Sequence, residues 1–173
     1  ARLALLPASN RDLPGHHRVD FESLTEPVRW EAVLRELRVD AVVNCVGLWK
    51  ADAATFERVQ YTVPVALFQA CMRLGLRVVH VSALGFSERS PLPYASTKAR
   101  ADRYLLDHCR DGVVVCPSLV FGADGASSRF FLNLASLPVR VDFGLPANLQ
   151  PVHARDVARA VVHALHDPQG PRR

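Results

Sequence analysis

Long apolar stretches are missing from this sequence of 173 residues. No apolar run approaches the roughly 18–20 residues that a membrane-crossing helix needs, and the opening ARLALLPASN lacks the basic stretch and long apolar core of a signal peptide. Blocks of Lys and Arg are also missing, although the formal net charge is +4, and a nucleic-acid surface needs concentrated positive charge. We therefore predict no membrane segment in this chain, no nucleic-acid partner and a cytoplasmic location.

Paired cysteines are absent as well, because Cys45, Cys71, Cys109 and Cys116 form no CxxC motif. This spacing favours neither a zinc site nor a disulfide framework. We expect four buried thiols in a reducing compartment, and we predict no metal site.

The sequence also lacks a glycine-rich loop of the kind that holds phosphates. Neither GxGxxG nor GxxGxxG occurs, and the GADG at 122–125 is typical of a plain turn. Such a loop lets backbone amides approach a pyrophosphate at the N-terminus of a helix. Without it, residues 1–173 alone are expected to bind pyrophosphate-containing ligands weakly.

Alternating strand-like and helix-like segments fill the sequence, and hydrophobic residues make up 49% of it, enough for a buried core. The predicted strands are 16–21, 39–47, 76–83, the start of 112–122 and a brief one at 149–153; the predicted helices are 26–37, 51–75, 94–110, 126–137 and 154–167. Pro64 should kink the helix that contains it or remove one backbone hydrogen bond. The alternation predicts an α/β fold with a parallel sheet in one domain.

Three of the predicted strands end in small or polar residues, at Asn44–Gly47, Ser82–Gly85 and Pro117–Gly122. In parallel α/β sheets, ligands bind beyond the carboxyl ends of the strands. Each segment alone is typical of an ordinary turn, but the three together favour a ligand crevice.

Tyr94 and Lys98 open the helix that follows one of these strand ends, and residues four apart face the same side of a helix. A tyrosine has a pKa near ~10, and a nearby ammonium should lower it by favouring the phenolate. The pair could then exchange a proton with a carbonyl/alcohol couple. Hydride transfer would require a nicotinamide cofactor, because no side chain donates hydride. The structural alternative is a helix with one buried Tyr and one surface Lys.

The order of several motifs resembles the short-chain dehydrogenase/reductase superfamily, in its extended and atypical branches. The matching segments are RVDF (18–21), VDAVVNCVGLWKA (39–51), VSALG (81–85), YASTKARAD (94–102), CPSLVFG (116–122) and VHARDVARAVV (152–162). These branches include NAD-dependent sugar-nucleotide epimerases and dehydratases, and the NADPH-holding accessory subunit of respiratory complex I. The resemblance implies a Rossmann-like doubly wound parallel sheet with NADP or NAD as cofactor.

The resemblance also implies roles for individual residues. Tyr94 would be the acid/base, Lys98 would lower its pKa and bind the nicotinamide ribose, and Ser82 would orient substrate or cofactor. Asp102 stands for a family glutamate, and Asp156 would cap the last helix. Besides Lys98, the implied cofactor contacts are Asp20 and Phe21 at the adenine, Cys45, Val46 and Gly47 along the adenosine half, and Pro117, Ser118 and Val120 near the nicotinamide.

Several features depart from the family pattern. The first strand and its glycine-rich loop are missing, and so is most of the family's C-terminal substrate-binding part. We therefore expect 1–173 to be a partial NAD(P)-binding Rossmann-like domain, truncated at both ends, with strands two and three separated from the others. Residues 2–6 are either the second strand or part of the segment that follows it. Ala83 stands where a catalytic Ser or Thr is usual, Gln60 replaces an Asn, and Cys116 replaces an Arg.

Three functions remain open on the sequence alone. The preferred one is an NAD(P)-dependent oxidoreductase-like domain that transfers hydride at a small-molecule carbonyl or sugar-nucleotide-like substrate. A non-catalytic dinucleotide-binding or redox-sensing module is the second, favoured by Ala83, and an inactive fragment is the third, favoured by the missing loop. The choice of NAD or NADP, with Arg11 the candidate discriminator, and the formation of an oligomer are also left open.

Overall fold

The computed structural model describes residues 4–48, 50–122, 128–129, 132–133, 136, 138, 150–167 and 170–173. In chain order its strands are β1 (Ala8–Ser9), β2 (His17–Arg18), β3 (Ala41–Asn44), β4 (Arg77–Val81), β5 (Gly112–Val115), β6 (Val120–Phe121) and β7 (Val152–His153). Its α-helices are α1 (Pro27–Leu37), α2 (Ala53–Glu57), α3 (Val63–Leu74), α4 (Pro93–His108) and α5 (Ala154–His166). Every strand pairing among the described residues is parallel, which confirms the predicted parallel α/β fold.

The central sheet has the strand order β3–β4–β5. Val79 pairs with Val43 on one side and with Val113 on the other. The neighbouring residues Val78 and Val79 are both 0% exposed. Because successive strand residues point to opposite faces, the central strand β4 is covered on both sides, whereas Val43 of β3 is 37% exposed. The apolar runs at 39–47, 76–83 and 112–122 therefore predicted three adjacent strands correctly, with wider bounds than the structure has.

The strands β1 and β2 pair with each other, and within the described residues neither joins the central sheet. This separation of two strands from the others is the expected one. The predicted strand 16–21 is shorter than expected, because Phe21–Ser23 turn into a short 3-10 helix directly after β2. Residues 4–6 form no strand, and the first strand lies just after them.

The predicted helix 51–75 runs from Ala53 to Leu74 and contains a π-helical turn at Arg58–Thr62. Pro64 follows this turn directly, in the first turn of α3. Proline has no N–H to donate, and a wider turn is one way for a helix to accommodate the missing bond. The structure therefore shows a widened turn before Pro64, where a kink or the loss of one backbone hydrogen bond was predicted.

The main core lies between the central sheet and the helices α1, α3 and α4. Its most buried members include Phe68, Cys71, Val78 and Leu105, each 0% exposed. Helix α5 contacts β4, β5, β6 and β7, and a residue of β4 binds its C-terminal end. The guanidinium of Arg77 donates hydrogen bonds of 2.8 Å to the carbonyls of Ala164 and Asp167 at the end of that helix.

The N-terminus of α5 is capped by His153, whose Nδ1 accepts a hydrogen bond from the backbone N–H of Arg155 at 3.0 Å. The expectation that Asp156 caps this helix is therefore wrong. His153 is the last extended residue, because β7 ends there, whereas Asp156 already lies in the first turn and pairs with Arg159 at 3.1 Å. A carboxylate in a first turn still interacts favourably with the helix dipole.

The cysteines are all free, but only Cys71 and Cys109 are buried. Cys116 is half-buried and Cys45 is exposed, so the expectation of four buried thiols is wrong. Cys45 follows β3 at the carboxyl edge of the sheet, where the fold leaves it open. No group of three His, Cys, Asp or Glu side chains among the described residues could hold a metal ion.

Two remaining predictions concern the later part of the chain. Residues 128–129 and 132–133 are helical, and the rest of the predicted helix 126–137 lies mostly outside the described residues. The brief strand predicted at 149–153 is β7, which pairs with β6. None of the helices in the described ranges is long and apolar enough to cross a membrane.

Substitution of Gly112 by Ala is expected to destabilise the fold by about 1–3 kcal/mol, the usual cost of overpacking a core. A Cβ at Gly112 would lie 2.7 Å from Cδ1 and 2.8 Å from Cγ of Leu105, which is fully buried. Urea unfolding of Gly112→Ala, of Leu105→Ala and of the double variant measures the effect. The double variant should lose less stability than the sum of the single losses, and additive losses would contradict the steric explanation.

Candidate active site

Lys98 lies at the carboxyl ends of β3 and β4, and only 6% of it is exposed. Its Nζ donates a hydrogen bond of 2.9 Å to the carbonyl of Val81 and one of 3.4 Å to the carbonyl of Val46. Burial lowers the pKa of Lys98, and nearby acidic groups, Asp102 foremost, act in the opposite direction. The alternative of a surface lysine is therefore wrong, and the ammonium is fixed at the edge where ligands bind in parallel sheets.

The turn after β3 passes directly beside this lysine. Asn44 is 4% exposed, and its Oδ1 accepts a hydrogen bond from the N–H of Val46 at 3.0 Å, which shapes the turn. A Cβ at Gly47 would lie 3.7 Å from Cε and 3.8 Å from Nζ of Lys98. A larger side chain at position 47 would lie against Lys98. Because residue 47 is a glycine, this side of the lysine stays open.

Tyr94, one helical turn before Lys98, is half-buried between two aromatic rings. Its ring meets Phe86 edge-on at 5.1 Å and Phe56 edge-on at 5.8 Å between centroids. Burial raises the pKa of Tyr94, which is opposite to the direction predicted from the neighbouring ammonium. Desolvation by the surrounding protein is the cause of this rise, so the phenol stays protonated at neutral pH.

Gln60 connects the β3 turn to the start of α4 from within the π-helical turn. Its Nε2 donates to the carbonyl of Tyr94 at 3.0 Å and to Oγ1 of Thr97 at 3.1 Å. Its Oε1 accepts from the N–H of Leu48 at 3.1 Å, and only 1% of Gln60 is exposed. The sequence identified Gln60 only as a replacement for Asn; a polar side chain in an apolar helix was the available signal for its connecting role.

Ser82 points away from the crevice and into the protein. Its hydroxyl donates a hydrogen bond of 2.6 Å to Oδ2 of Asp102, and Oδ1 of the same carboxylate lies 3.4 Å from Nε2 of His80. All three residues are buried. His80 was missed by the sequence analysis, although a histidine inside an apolar strand is a signal for a buried polar contact.

The segment after β5 also reaches this edge of the sheet. The carbonyl of Pro117 accepts a hydrogen bond of 2.8 Å from the N–H of Leu84, which joins it to the end of β4. The hydroxyl of Ser118 accepts one of 3.3 Å from the N–H of Gln150, and Val120 lies half-buried in β6. The structure therefore places Pro117 next to the β4 turn, while Ser118 and Val120 contact the later part of the chain.

Asp20 and Phe21, the predicted adenine contacts, lie after β2, where Asp20 precedes the short 3-10 helix and Phe21 begins it. Asp20 is exposed, and Phe21 stacks on Trp30 with 5.9 Å between ring centroids. The adjacent Glu22 forms an ion pair of 2.7 Å with Arg58, which ties this region to the π-helical turn. Among the described residues, the side-chain hydrogen bonds of Lys98 do not include either predicted residue.

Acid should destabilise the fold through His80, because burial and the charge of Lys98 lower the pKa of His80 to about 3. The unfolded chain binds this proton near pH 6.5, so stability is lost as pH falls between those two values. The variant His80→Gln has no proton to bind at this position in either state. Between pH 6 and 4 its free energy of unfolding should therefore fall less steeply with decreasing pH, by up to about 1.4 kcal/mol per pH unit. Denaturant unfolding at several pH values measures the slope.

The matched control for this prediction is His16→Gln, because the ring of His16 is exposed. Its slope should equal that of the wild type. Equal slopes for His80→Gln and the wild type would show that His80 does not have the predicted role in acid sensitivity.

Similarity to known proteins extends over most of the chain. NADH dehydrogenase (ubiquinone) 1 alpha subcomplex subunit 9, mitochondrial, of Mus musculus is 29% identical over 134 residues, which cover 75% of this chain and 35% of that protein. The dTDP-4-dehydrorhamnose reductase of Mycobacterium tuberculosis is 28% identical over 170 residues, which cover 83% and 54%. The crystal structure of dTDP-4-dehydrorhamnose reductase from Bacillus anthracis in complex with NADP superposes with a TM-score of 0.66 at 15% identity, over 84% of this chain and 59% of that one.

The chain thus spans about a third of the first curated relative and about half of the second. The likeness to the bacterial structure confirms the predicted Rossmann-like fold. The model of the NAD dependent epimerase/dehydratase family matches residues 5–173, nearly the whole sequence, and confirms the resemblance seen in the motifs. The chain therefore belongs to the NAD dependent epimerase/dehydratase family, within the extended short-chain dehydrogenases/reductases.

Proposed function

We propose that this chain forms part of an NAD(P)-dependent oxidoreductase that acts on a carbonyl/alcohol couple, with Tyr94 as the acid/base. The observation that carries the proposal is the position of Lys98, a buried ammonium at the carboxyl edge of a parallel sheet, one helical turn after Tyr94. Ligands bind at this edge in such folds. Bound NAD(P), the cofactor class of the family, would supply or accept the hydride.

Lys98 fits a ligand hydroxyl such as that of a ribose. An ammonium has three N–H donors, and its described hydrogen bonds use two of them, on the carbonyls of Val46 and Val81. The third remains for a ligand, and the missing side chain at Gly47 leaves space beside it. These observations support Lys98 and Gly47 as residues that hold the cofactor. The other proposed contacts are Asp20, Phe21, Cys45, Val46, Pro117, Ser118 and Val120.

Tyr94 suits the donation of a proton. Burial raises its pKa, so that the phenol is protonated at neutral pH. A protonated phenol is the acid that carbonyl reduction needs, whereas alcohol oxidation needs a base. Phe56 and Phe86 fix the ring from two sides, which limits the directions in which the hydroxyl can point. We therefore propose Tyr94 as the proton donor when the reaction runs as a reduction.

The proposed substrate is a small-molecule carbonyl or a sugar-nucleotide-like carbonyl. Support comes from two similar proteins, in Mycobacterium tuberculosis and Bacillus anthracis, that are both dTDP-4-dehydrorhamnose reductases. A dehydro-sugar nucleotide, as in the name of these relatives, presents such a carbonyl together with a pyrophosphate.

The test is carried out on residues 1–173 and on the longest product that the gene encodes. Calorimetry measures the binding of NADH and NADPH, and a panel of sugar nucleotides and small carbonyl compounds is assayed for reduction. Binding of either nucleotide together with turnover of one substrate supports the proposal. If the longest product binds neither NADH nor NADPH, the proposal is contradicted.

A non-catalytic dinucleotide-binding module is the second candidate function. Two observations favour it. Ala83 has no hydroxyl to polarise a carbonyl, and the hydroxyl of Ser82 donates its hydrogen bond to Asp102. This candidate predicts nucleotide binding without turnover of any substrate in the panel. It also predicts that removal of the Tyr94 hydroxyl has no measurable effect.

A further inference from the structure

A buried polar cluster, which we call the Asp102 cluster, joins β4 to α4 and consists of His80, Ser82 and Asp102. These residues are 0%, 6% and 1% exposed, respectively. His80 and Ser82 lie two residues apart and therefore share one face of β4, while Lys98 and Asp102 lie one turn apart on α4. The strand face and the helix face meet at the carboxylate, through the 2.6 Å bond from Ser82 and the 3.4 Å approach of His80.

Lys98 needs a compensating charge, because a buried ion is costly without one. His80 stays neutral, since burial and the charge of Lys98 lower its pKa. Two thiols, Cys45 and Cys116, interact with Lys98, but desolvation raises the pKa of both, so they are uncharged at neutral pH. Among the described groups whose charges act on Lys98, the carboxylate of Asp102 is therefore the one that can supply the negative charge.

Ser82 helps to keep that carboxylate ionised. Burial raises the pKa of Asp102, and the hydrogen bond from Ser82, with the positive charges of Lys98 and Arg173, acts against this rise. A separation of 2.6 Å between hydroxyl and carboxylate oxygens is typical of a charge-assisted bond to an ionised acceptor. The hydroxyl therefore has a defined electrostatic task inside the protein.

We propose that Asp102 is a positioning residue that keeps Lys98 charged from one helical turn away, and that Ser82 acts on Asp102 rather than on a substrate. The consequence for cofactor binding rests on the proposed function, whereas the charge on Lys98 is a property of this chain alone. A change at Asp102 should therefore be visible at Lys98 even without a nucleotide.

The experiment uses the lysine content of the chain, which has only Lys50 and Lys98. In a Lys50→Arg background, lysine labelled with ¹³C at Cε gives one NMR signal, and its pH titration reports Lys98. In Asp102→Asn the midpoint should move to lower pH by about one unit or more, because an opposite charge close to an ionisable group typically shifts its pKa by 1–3 units. Asp102→Glu should restore part of the shift. An unchanged midpoint in folded Asp102→Asn overturns the proposal.

A measurement on the wild type decides the matter if Asp102→Asn does not fold. The ¹³Cγ signal of Asp102, assigned by its loss in Asp102→Glu, should report an ionised carboxylate at pH 7, and the Lys98 signal should report an ammonium. A protonated Asp102 or a neutral Lys98 at that pH overturns the proposal.

Binding of NADPH by the longest gene product is measured in parallel, by calorimetry at pH 7. Weaker binding by Asp102→Asn than by the wild type, together with the lowered Lys98 midpoint, supports the positioning role. A wild type that binds neither NADH nor NADPH defeats the proposed function, and the titration of Lys98 then still decides whether Asp102 controls its charge.

Discussion

Replacement of Tyr94 by Phe is expected to lower kcat about 10²–10⁴-fold, the usual contribution of a positioned acid/base, and to leave the Kd for NAD(P)H nearly unchanged. The phenol supplies its proton in the transition state and adds little to ground-state binding. The contacts of the ring with Phe56 and Phe86 are kept in the variant, so the change removes one hydroxyl from an otherwise intact site. Steady-state kinetics and calorimetry on the longest gene product measure the two constants.

Tyr104→Phe is the matched control, because it removes a tyrosine hydroxyl ten residues further along the same helix. That hydroxyl accepts a hydrogen bond of 2.7 Å from Nε2 of Gln69, away from the site. Its loss should leave kcat and Kd close to those of the wild type. If Tyr94→Phe also keeps the wild-type kcat, the acid/base role is wrong and the binding-module function is favoured.

Replacement of Lys98 by Met is expected to raise the Kd for NAD(P)H about 10- to 150-fold and to lower kcat as well. The expected loss of affinity corresponds to about 1.5–3 kcal/mol, the usual value of a hydrogen bond from a charged group. Met keeps an apolar side chain of similar length but cannot donate a hydrogen bond to a ribose, so the cofactor would be held less firmly for hydride transfer and kcat would fall. Calorimetry gives the Kd, and thermal unfolding checks that the variant is folded.

Lys50→Met controls for the loss of one positive charge, since Lys50 is exposed and is the other lysine of the chain. It should bind NAD(P)H as the wild type does. A Kd for Lys98→Met within twofold of the wild-type value would show that the ammonium does not hold the cofactor.

The central sheet could be predicted from the sequence because its signals are local. Continuous Val-rich runs at 41–44, 77–81 and 112–115 are typical of strands that are buried on both faces. The helix with Tyr94 and Lys98 was predicted for the same reason, since its spacing and length are visible in one segment. Parallel pairing followed from the alternation of strands with helices.

The details of the site could not be predicted, because they depend on residues far apart in the chain. The bond from Ser82 to Asp102 spans 20 positions, and the bonds from Gln60 to Tyr94 and Thr97 span 34 and 37. The pKa of Tyr94 was predicted in the wrong direction for the same reason. The lysine four residues away is visible in the sequence, whereas the desolvation that raises the pKa comes from the folded surroundings.

The π-helical turn at Arg58–Thr62 separates two packing registers within one continuous helix. Each residue turns an α-helix by about 100°, so the extra residue of a wider turn lets the two halves face different neighbours. The first half directs Phe56 at Tyr94, and the second directs Phe68 at His80, with 5.3 Å between the latter rings. A one-residue deletion in this turn would force both halves into a single register. The contact of Phe56 with Tyr94 and the contact of Phe68 with His80 could then not both be kept.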